Sequence, residues 1–508
     1  MKRKLVFAAT LLSFAGVAAH ADEVTDLKAE AKALQRQNEA LNKRLAAIEQ
    51  RQKAMDVNLA ASRQRALDAN AAGVIPTKAV PYTSTDDSLC WHGLCMYGVV
   101  DMGFGWEAHG MPFNGSMPTG VLYTVGKFSN RPMFEASPNG LTQSFVGLTG
   151  ETEILPGVNA IFKMETGFDP FSGQLANGLG SIQQNNGLNP STYSANADAG
   201  RAGQAINGQL YAGVSSALFG TLTFGRQNTL LLDQILGYDA MGAAYAFSPI
   251  GISGVFGGGG DSEDARLDQT IKYRWEYGPI HAGAMYQVGN YGSGGTTMWP
   301  HDEASGNIGF SYLGFSADGT YSKVRGAVNV AAPLMGAANV GNPTLSATIS
   351  DNSAWMATAK YKWDRFEVMA GYENITLADP RNAVTAGLND DGYVMSTVNN
   401  AAFPNDKVLQ MMWIGGKYKA TDNLTLIGSY YHETQNSYGA GALVGCSTNV
   451  SSFCSGSLNV VSFVADYVFN KHFDIYAGLE YSKVNGGLSS GYMNTWNIDP
   501  MAGARYSF

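Results

Sequence analysis

The last eleven residues set a pattern that most of the chain repeats. Ile498, Pro500, Ala502, Ala504, Tyr506 and Phe508 fall on one parity, and Asp499, Gly503, Arg505 and Ser507 on the other. A strand of period two with one apolar and one charged face separates an apolar medium from water. Fifteen upstream segments read the same way. Seven of their connections are very short, at 154–157, 217–220, 277–279, 312–314, 363–365, 420–423 and 470–472. Eight long ones alternate with them, at roughly 108–141, 169–207, 229–266, 290–305, 324–353, 377–406, 435–456 and 485–497. Fifteen connections require sixteen strands. Short turns at one end and long loops at the other mark an even-stranded antiparallel barrel. The pattern predicts an all-β fold, a 16-stranded antiparallel transmembrane β-barrel over residues 90–508. The strand-like stretch 121–128 breaks the alternation and is placed inside the first long loop.

Parity assigns the faces. Ile271, Tyr273, Trp275 and Tyr277 oppose Asp268, Thr270, Lys272, Arg274 and Glu276; Ala160, Phe162 and Met164 oppose Lys163 and Glu165; Trp355, Ala357, Ala359, Tyr361 and Trp363 oppose Lys360 and Lys362. A basic residue on the lipid face costs about 2–4 kcal/mol near the midplane, whereas a wet lumen accepts it. Sixteen strands also leave an aqueous interior, which eight would fill with side chains. Tyr277, Trp363, Tyr418 and Tyr467 lie near turn ends, as an interfacial girdle requires.

The N-terminal portion has other periods. Lys2, Arg3 and Lys4, the apolar run 5–18 and Ala19-His20-Ala21 form a signal peptide over 1–21, too short for the ~20 residues of a spanning helix. Residues 22–69 carry heptads, with Leu27, Leu34, Leu41, Ile48 and Met55 at d and Val24, Ala31, Asn38, Leu45, Gln52 and Leu59 at a. This predicts an α-helical coiled coil in the periplasm, reaching roughly 70 Å, with Asn38 and Gln52 specifying register. Residues 70–89, with Pro76 and Pro81, read as a linker.

Composition narrows the function. Without the three leader cations the 33 basic residues fall to 30 against 42 acidic, a net −12 that argues against nucleic acid. The 61 Gly and 25 Tyr suit crowded strands and membrane interfaces. Cys90 with Cys95 and Cys446 with Cys454 are close pairs in an exported chain, so each is expected to form a local disulfide; a metal site lacks its further ligands.

Several stretches resemble the general-diffusion porins of Gram-negative outer membranes, of the type common in β-proteobacteria. Residues 96–101 (Met-Tyr-Gly-Val-Val-Asp) are similar to that family's first strand, and 145–151 to its second. Residues 155–168 resemble the next turn and strand, and 219–227 (Phe-Gly-Thr-Leu-Thr-Phe-Gly-Arg-Gln) match most closely. The resemblance covers about 95–508. It implies a homotrimer set in outer-membrane lipid and lipopolysaccharide, no cofactor, and a terminal Tyr506 and Phe508 read by the barrel-assembly machinery. It further implies that the third long loop, 228–266, folds inward and narrows the barrel. That loop carries Asp233, Asp239, Asp261, Glu263 and Asp264; Lys163, Lys272 and Arg274, with Glu165, are the wall candidates. Acids facing cations would set a transverse field, although Asp261, Glu263 and Asp264 also read as a solvated loop tip. The chain departs from the family at Phe145 and Thr149, where basic residues are usual, so a weak cation preference is expected. Arg226 shares a parity with Leu222 and Phe224, which points to a trimer-interface or rim ion pair.

Two other roles stay open. A sugar-selective channel would have eighteen strands and a lumen slide of aromatics, for which Tyr476 is a candidate. A structural tether would bind peptidoglycan through the rod, though no wall-binding domain is recognisable. An enzyme is not expected: His281 faces the lumen without a serine partner, and His432 and Glu433 lie at the rim.

Overall fold

The chain divides into two units, Met1–Asp68 and Ala69–Phe508. The computed structural model describes residues 89–91, 93–110, 125–126, 129–173, 175, 205–250, 266–288, 302–331, 345–383, 388–390 and 393–508 of the second unit. Of the first it describes Lys32, Gln35, Arg36, Gln37, Glu39 and Lys43, each helical and exposed. The signal peptide, the heptad seam, residues 70–88 of the linker, and Asp261, Glu263 and Asp264 lie outside the described residues.

The second unit contains, in order, β1 (Leu89–Trp91), β2 (Leu94–Glu107), β3 (Met133–Pro138), β4 (Phe145–Leu155), β5 (Val158–Gly167), β6 (Leu210–Ser216), β7 (Gly220–Asn228), helix α1 (Leu230–Tyr238), β8 (Arg266–Tyr277), β9 (Ile280–Gln287), β10 (Asp302–Tyr312), β11 (Phe315–Ala331), β12 (Leu345–Trp363), β13 (Phe366–Ala378), β14 (Leu388–Asp390), β15 (Tyr393–Asn399), β16 (Lys407–Lys419), β17 (Leu424–Gln435), β18 (Gly456–Asn470), β19 (Phe473–Gly486) and β20 (Trp496–Ser507). The short β1, β3, β14 and β15 decorate the wall. The other sixteen pair antiparallel, each with the next, and β20 returns to β2 through Ser507↔Val99 to Met501↔Gly105. Phe508 completes the seam, exchanging backbone hydrogen bonds with Gly98 at 3.0 and 3.1 Å. The closed 16-stranded barrel and all seven short turns agree with the sequence pattern.

Faces follow parity because a strand side chain must point either to lipid or to the interior. Phe104, Phe162, Phe224, Ile271, Tyr273, Trp355, Tyr361, Val461 and Phe463 are exposed outside, while Lys163, Lys272, Glu373, Glu480 and Asp499 are buried inside. The girdle is present: Trp363, Phe366 and Tyr418 stack at 5.5 and 4.5 Å, and Tyr277 and Tyr467 are exposed at turn ends. Both disulfides form, Cys90–Cys95 clamping β1 onto β2 and Cys446–Cys454 closing an outer loop.

Three local departures have physical causes. The first long loop ends earlier than expected, because β3 continues the pairing of β2 before β4 begins. Residues 139–144 bulge between them, held by Asp101, whose carboxylate accepts Leu141 N, Thr142 N and the Tyr476 hydroxyl at 2.7–2.9 Å. Asn139 supplies the left-handed turn (φ 63°), which Asn tolerates better than most residues. In β8, Gln269 is also left-handed (φ 54°), and the register with β7 slips between Gly225 and Gln227. This irregularity takes Asp268 off the predicted lumen face. It pairs with Arg226 at 2.8 Å while Leu267 buries against Leu230 and Met285. Finally, β11 and β12 extend well into the predicted fifth loop.

Candidate functional site

The interior is organised by the segment that follows β7. Thr229 caps α1, its hydroxyl accepting Leu232 N at 3.1 Å. The helix presents Leu231, Leu232 and Ile235 to apolar residues from the far side of the barrel, among them Met356, Met369, Met411 and Trp413. Gln234 donates to Thr358 Oγ1 at 2.9 Å, Trp413 Nε1 donates to Tyr238 O at 3.0 Å, and Lys360 Nζ to Gly237 O at 3.1 Å. Farther on, Ala246 N reaches Gly140 O at 3.0 Å and the Phe247 ring meets Tyr476 edge-on. The segment 228–250 therefore touches inward faces from β8 round to β19.

Asp233 ties the helix to the cationic wall. Its carboxylate binds Lys272 at 2.5 Å and Arg274, and accepts Asn228 Nδ2 at 3.2 Å. Burial alone would raise its pKa, but Lys272 and Arg274 outweigh that and hold the carboxyl below the usual range. The expected pair of facing, separated charges is thus closed into contact at this point. Asp239 is not pore-lining. It is buried, with its carboxylate accepting Met241 N, Ala243 N, the Ser248 hydroxyl and the Tyr431 hydroxyl, because the chain leaving the helix needs an acceptor to turn on.

Lys163 and Glu165 pair at 2.8 Å on β5. Tyr97 donates to Glu165 at 2.8 Å, and Phe145 packs edge-on against Tyr97 at 5.7 Å, so Phe145 is held to the wall. Tyr211 lies within electrostatic reach of Glu165, Asp233 and Arg274, linking the two groups. The structure thus gathers Lys163, Glu165, Phe145, Asp233, Lys272 and Arg274 along β4 to β8.

Acids dominate elsewhere. Glu480 and Asp499 are direct cross-strand neighbours, and Glu373 and Asp499 bury both carboxylate oxygens with no hydrogen-bond donor among the described residues. Parity placed Asp499 on the charged face but had not singled out Glu107, Glu373 or Glu480, nor Asp101, Asp318 and Tyr238. Their importance lies in which strands close on which, which a one-dimensional pattern does not contain.

The arrangement has counterparts. A family model described as Gram-negative porin matches residues 69–487. An outer membrane porin protein of Bordetella pertussis is 23% identical over 196 residues, covering 38% of this chain and 41% of that relative. The fold is similar to an anion-selective porin from Comamonas acidovorans (TM-score 0.52, 13% identity, 82% of this chain and 99% of that chain). It is also similar to a trimer form of OmpT, an outer membrane protein of Vibrio cholerae (TM-score 0.50, 16% identity, 82% and 99%). A closed barrel with a greasy exterior, a charged interior and a family match over most of its length makes the chain a member of the Gram-negative porin family, proteins of the outer membrane.

Proposed function

We propose that the protein forms a water-filled channel for passive diffusion of ions and small hydrophilic solutes, narrowed by the inward segment 228–250. The observation that carries this reading is the course of that segment across the inward faces from β8 to β19, anchored by buried polar contacts. Weak cation preference follows from the charge pattern. Lys163, Lys272 and Arg274 all have acidic partners at bonding distance, so the wall cations are compensated. The aromatics Tyr476, Tyr431 and Trp413 are buried against the loop, which disfavours a sugar slide. Assembly as a homotrimer is consistent with the trimer form of the Vibrio cholerae protein, and the heptads of 22–69 would join three parallel chains on the periplasmic side.

Planar-bilayer recording with a salt gradient and added sugars tests this. Ohmic steps closing in threes, unblocked by sugars and with a cation-selective reversal potential, are expected. Anion-selective reversal would remove the cation assignment, saturable sugar block would move the protein to a substrate-specific class, and absent conductance from folded protein would refute the channel.

A further inference from the structure

We propose that Asp318 is the positioning residue that holds the loop helix against the barrel wall and so sets the width of the passage. The inference rests on the reading that segment 228–250 narrows the channel. Asp318 lies on the inward face of β11 and offers α1 two acceptors. Its main-chain oxygen receives the Gln234 amide at 3.1 Å, and its carboxylate Oδ2 receives the Tyr238 hydroxyl. Gln234 and Tyr238 are four residues apart, hence on one helix face a turn apart. One wall residue therefore grips two successive turns.

The grip is itself fixed. His281 Nε2 lies 2.8 Å from Asp318 Oδ1, and Asn307 Nδ2 donates to the same oxygen at 3.3 Å, which leaves Oδ2 to the helix. Ser316 shares the Tyr238 hydroxyl and is bonded in turn by Ser311 at 3.0 Å. Asp318, His281, Tyr238, Ser311 and Ser316 are all buried, so water does not compete for these bonds. The helix's other polar contacts divide in kind. Asp233 secures the N-terminal half and Gln234 the middle, through Thr358 and Thr320, while Trp413 and Lys360 bind main-chain oxygens that any side chain would leave in place. The side-chain anchor of the C-terminal turn is the Asp318 carboxylate, with the Ser316 hydroxyl beside it. Leu236, on the opposite helix face, is exposed, so movement of the helix would change what a passing solute meets.

The test compares unitary conductance, open-channel noise and voltage of closure in Y238F, D318A and the double variant, with L236W as control. Y238F and D318A both remove the Tyr238–Asp318 bond; Y238F also removes the Ser316 contact, and D318A those of His281 and Asn307. Displacing the helix by about a quarter of the passage width changes conductance about 1.25-fold, because current scales with open cross-section. Each single variant should show that rise, with noisier current and closure at lower voltage, and the double should add little. L236W should lower conductance. An unchanged L236W would overturn the narrowing role of the helix, and the inference with it. Lowered conductance in L236W with wild-type behaviour in Y238F would overturn the role of Asp318 alone. Y238F deletes a single oxygen, so it decides the matter even where D318A assembles poorly.

Discussion

Replacing Asp233 by Asn keeps the side-chain shape and removes the negative charge shared by Lys272 and Arg274. The three groups carry a net +1 in the native protein and +2 in the variant. Their side chains are 22%, 6% and 17% exposed, so they are shielded from bulk solvent yet still border it. For an ion passing about 8 Å away through water, one extra unit charge is worth ~0.5 kcal/mol. That changes the occupancy of each ion about 2.4-fold, in opposite directions for cation and anion, so the permeability ratio shifts roughly sixfold toward anions. The shift should be seen near 10 mM salt, where screening extends over about 30 Å, and should nearly vanish at 1 M, where it extends over about 3 Å. Reversal potentials across bilayers at the two salt levels measure it, with heat-modifiable mobility on gels confirming a folded barrel. A ratio unmoved at low salt, or a shift that persists at 1 M, would refute the argument that Asp233 acts by compensating wall charge next to the passage.

Three further outcomes are expected. The folded-state pKa of Asp233 is depressed, so its ion pairs contribute fully above the ordinary carboxylate value of about 3.9 and are lost only as pH falls through the lower folded value; conductance recorded from pH 7 to 3 should lose this anchoring only in the most acidic samples. A Cβ at Gly98 would sit 2.6 Å from both Phe145 O and the Phe508 ring, so Gly98→Val should block seam closure, seen as loss of the compact heat-modifiable band. Replacing Cys446 and Cys454 by Ser opens a loop of sequence separation 8, worth about 2.5 kcal/mol of unfolded-chain entropy; protease should cut the outer loop 436–455 faster and the barrel should melt at a lower temperature.

Much of this was legible in one dimension because strand geometry is a one-dimensional code. A period of two, interrupted by turn residues, sorts Phe162 from Lys163 and Tyr273 from Lys272 wherever lipid lies on one side and water on the other. Counting connections was enough to reach sixteen strands, and the Cys spacings were enough to pair them. The code failed where local backbone shifts it: the left-handed Gln269 moved Asp268 off its assigned face, and β3 formed inside the expected first loop, ahead of the bulge at 139–144.

What the sequence by itself determined, then, is the wall: strand number, faces, girdle, disulfides and family resemblance, all properties of neighbours along the chain. The tertiary structure decided what the wall encloses. Asp318 grips a helix whose Tyr238 lies 80 positions before it, Tyr431 reaches Asp239 across 192, and Tyr476 binds Asp101 across 375. No periodicity encodes such partners. Burial decides which acids become anchors, as Asp101, Asp239 and Asp318 do. An inward carboxylate becomes an anchor only beside donors, and closing the ring is what brings those donors within reach.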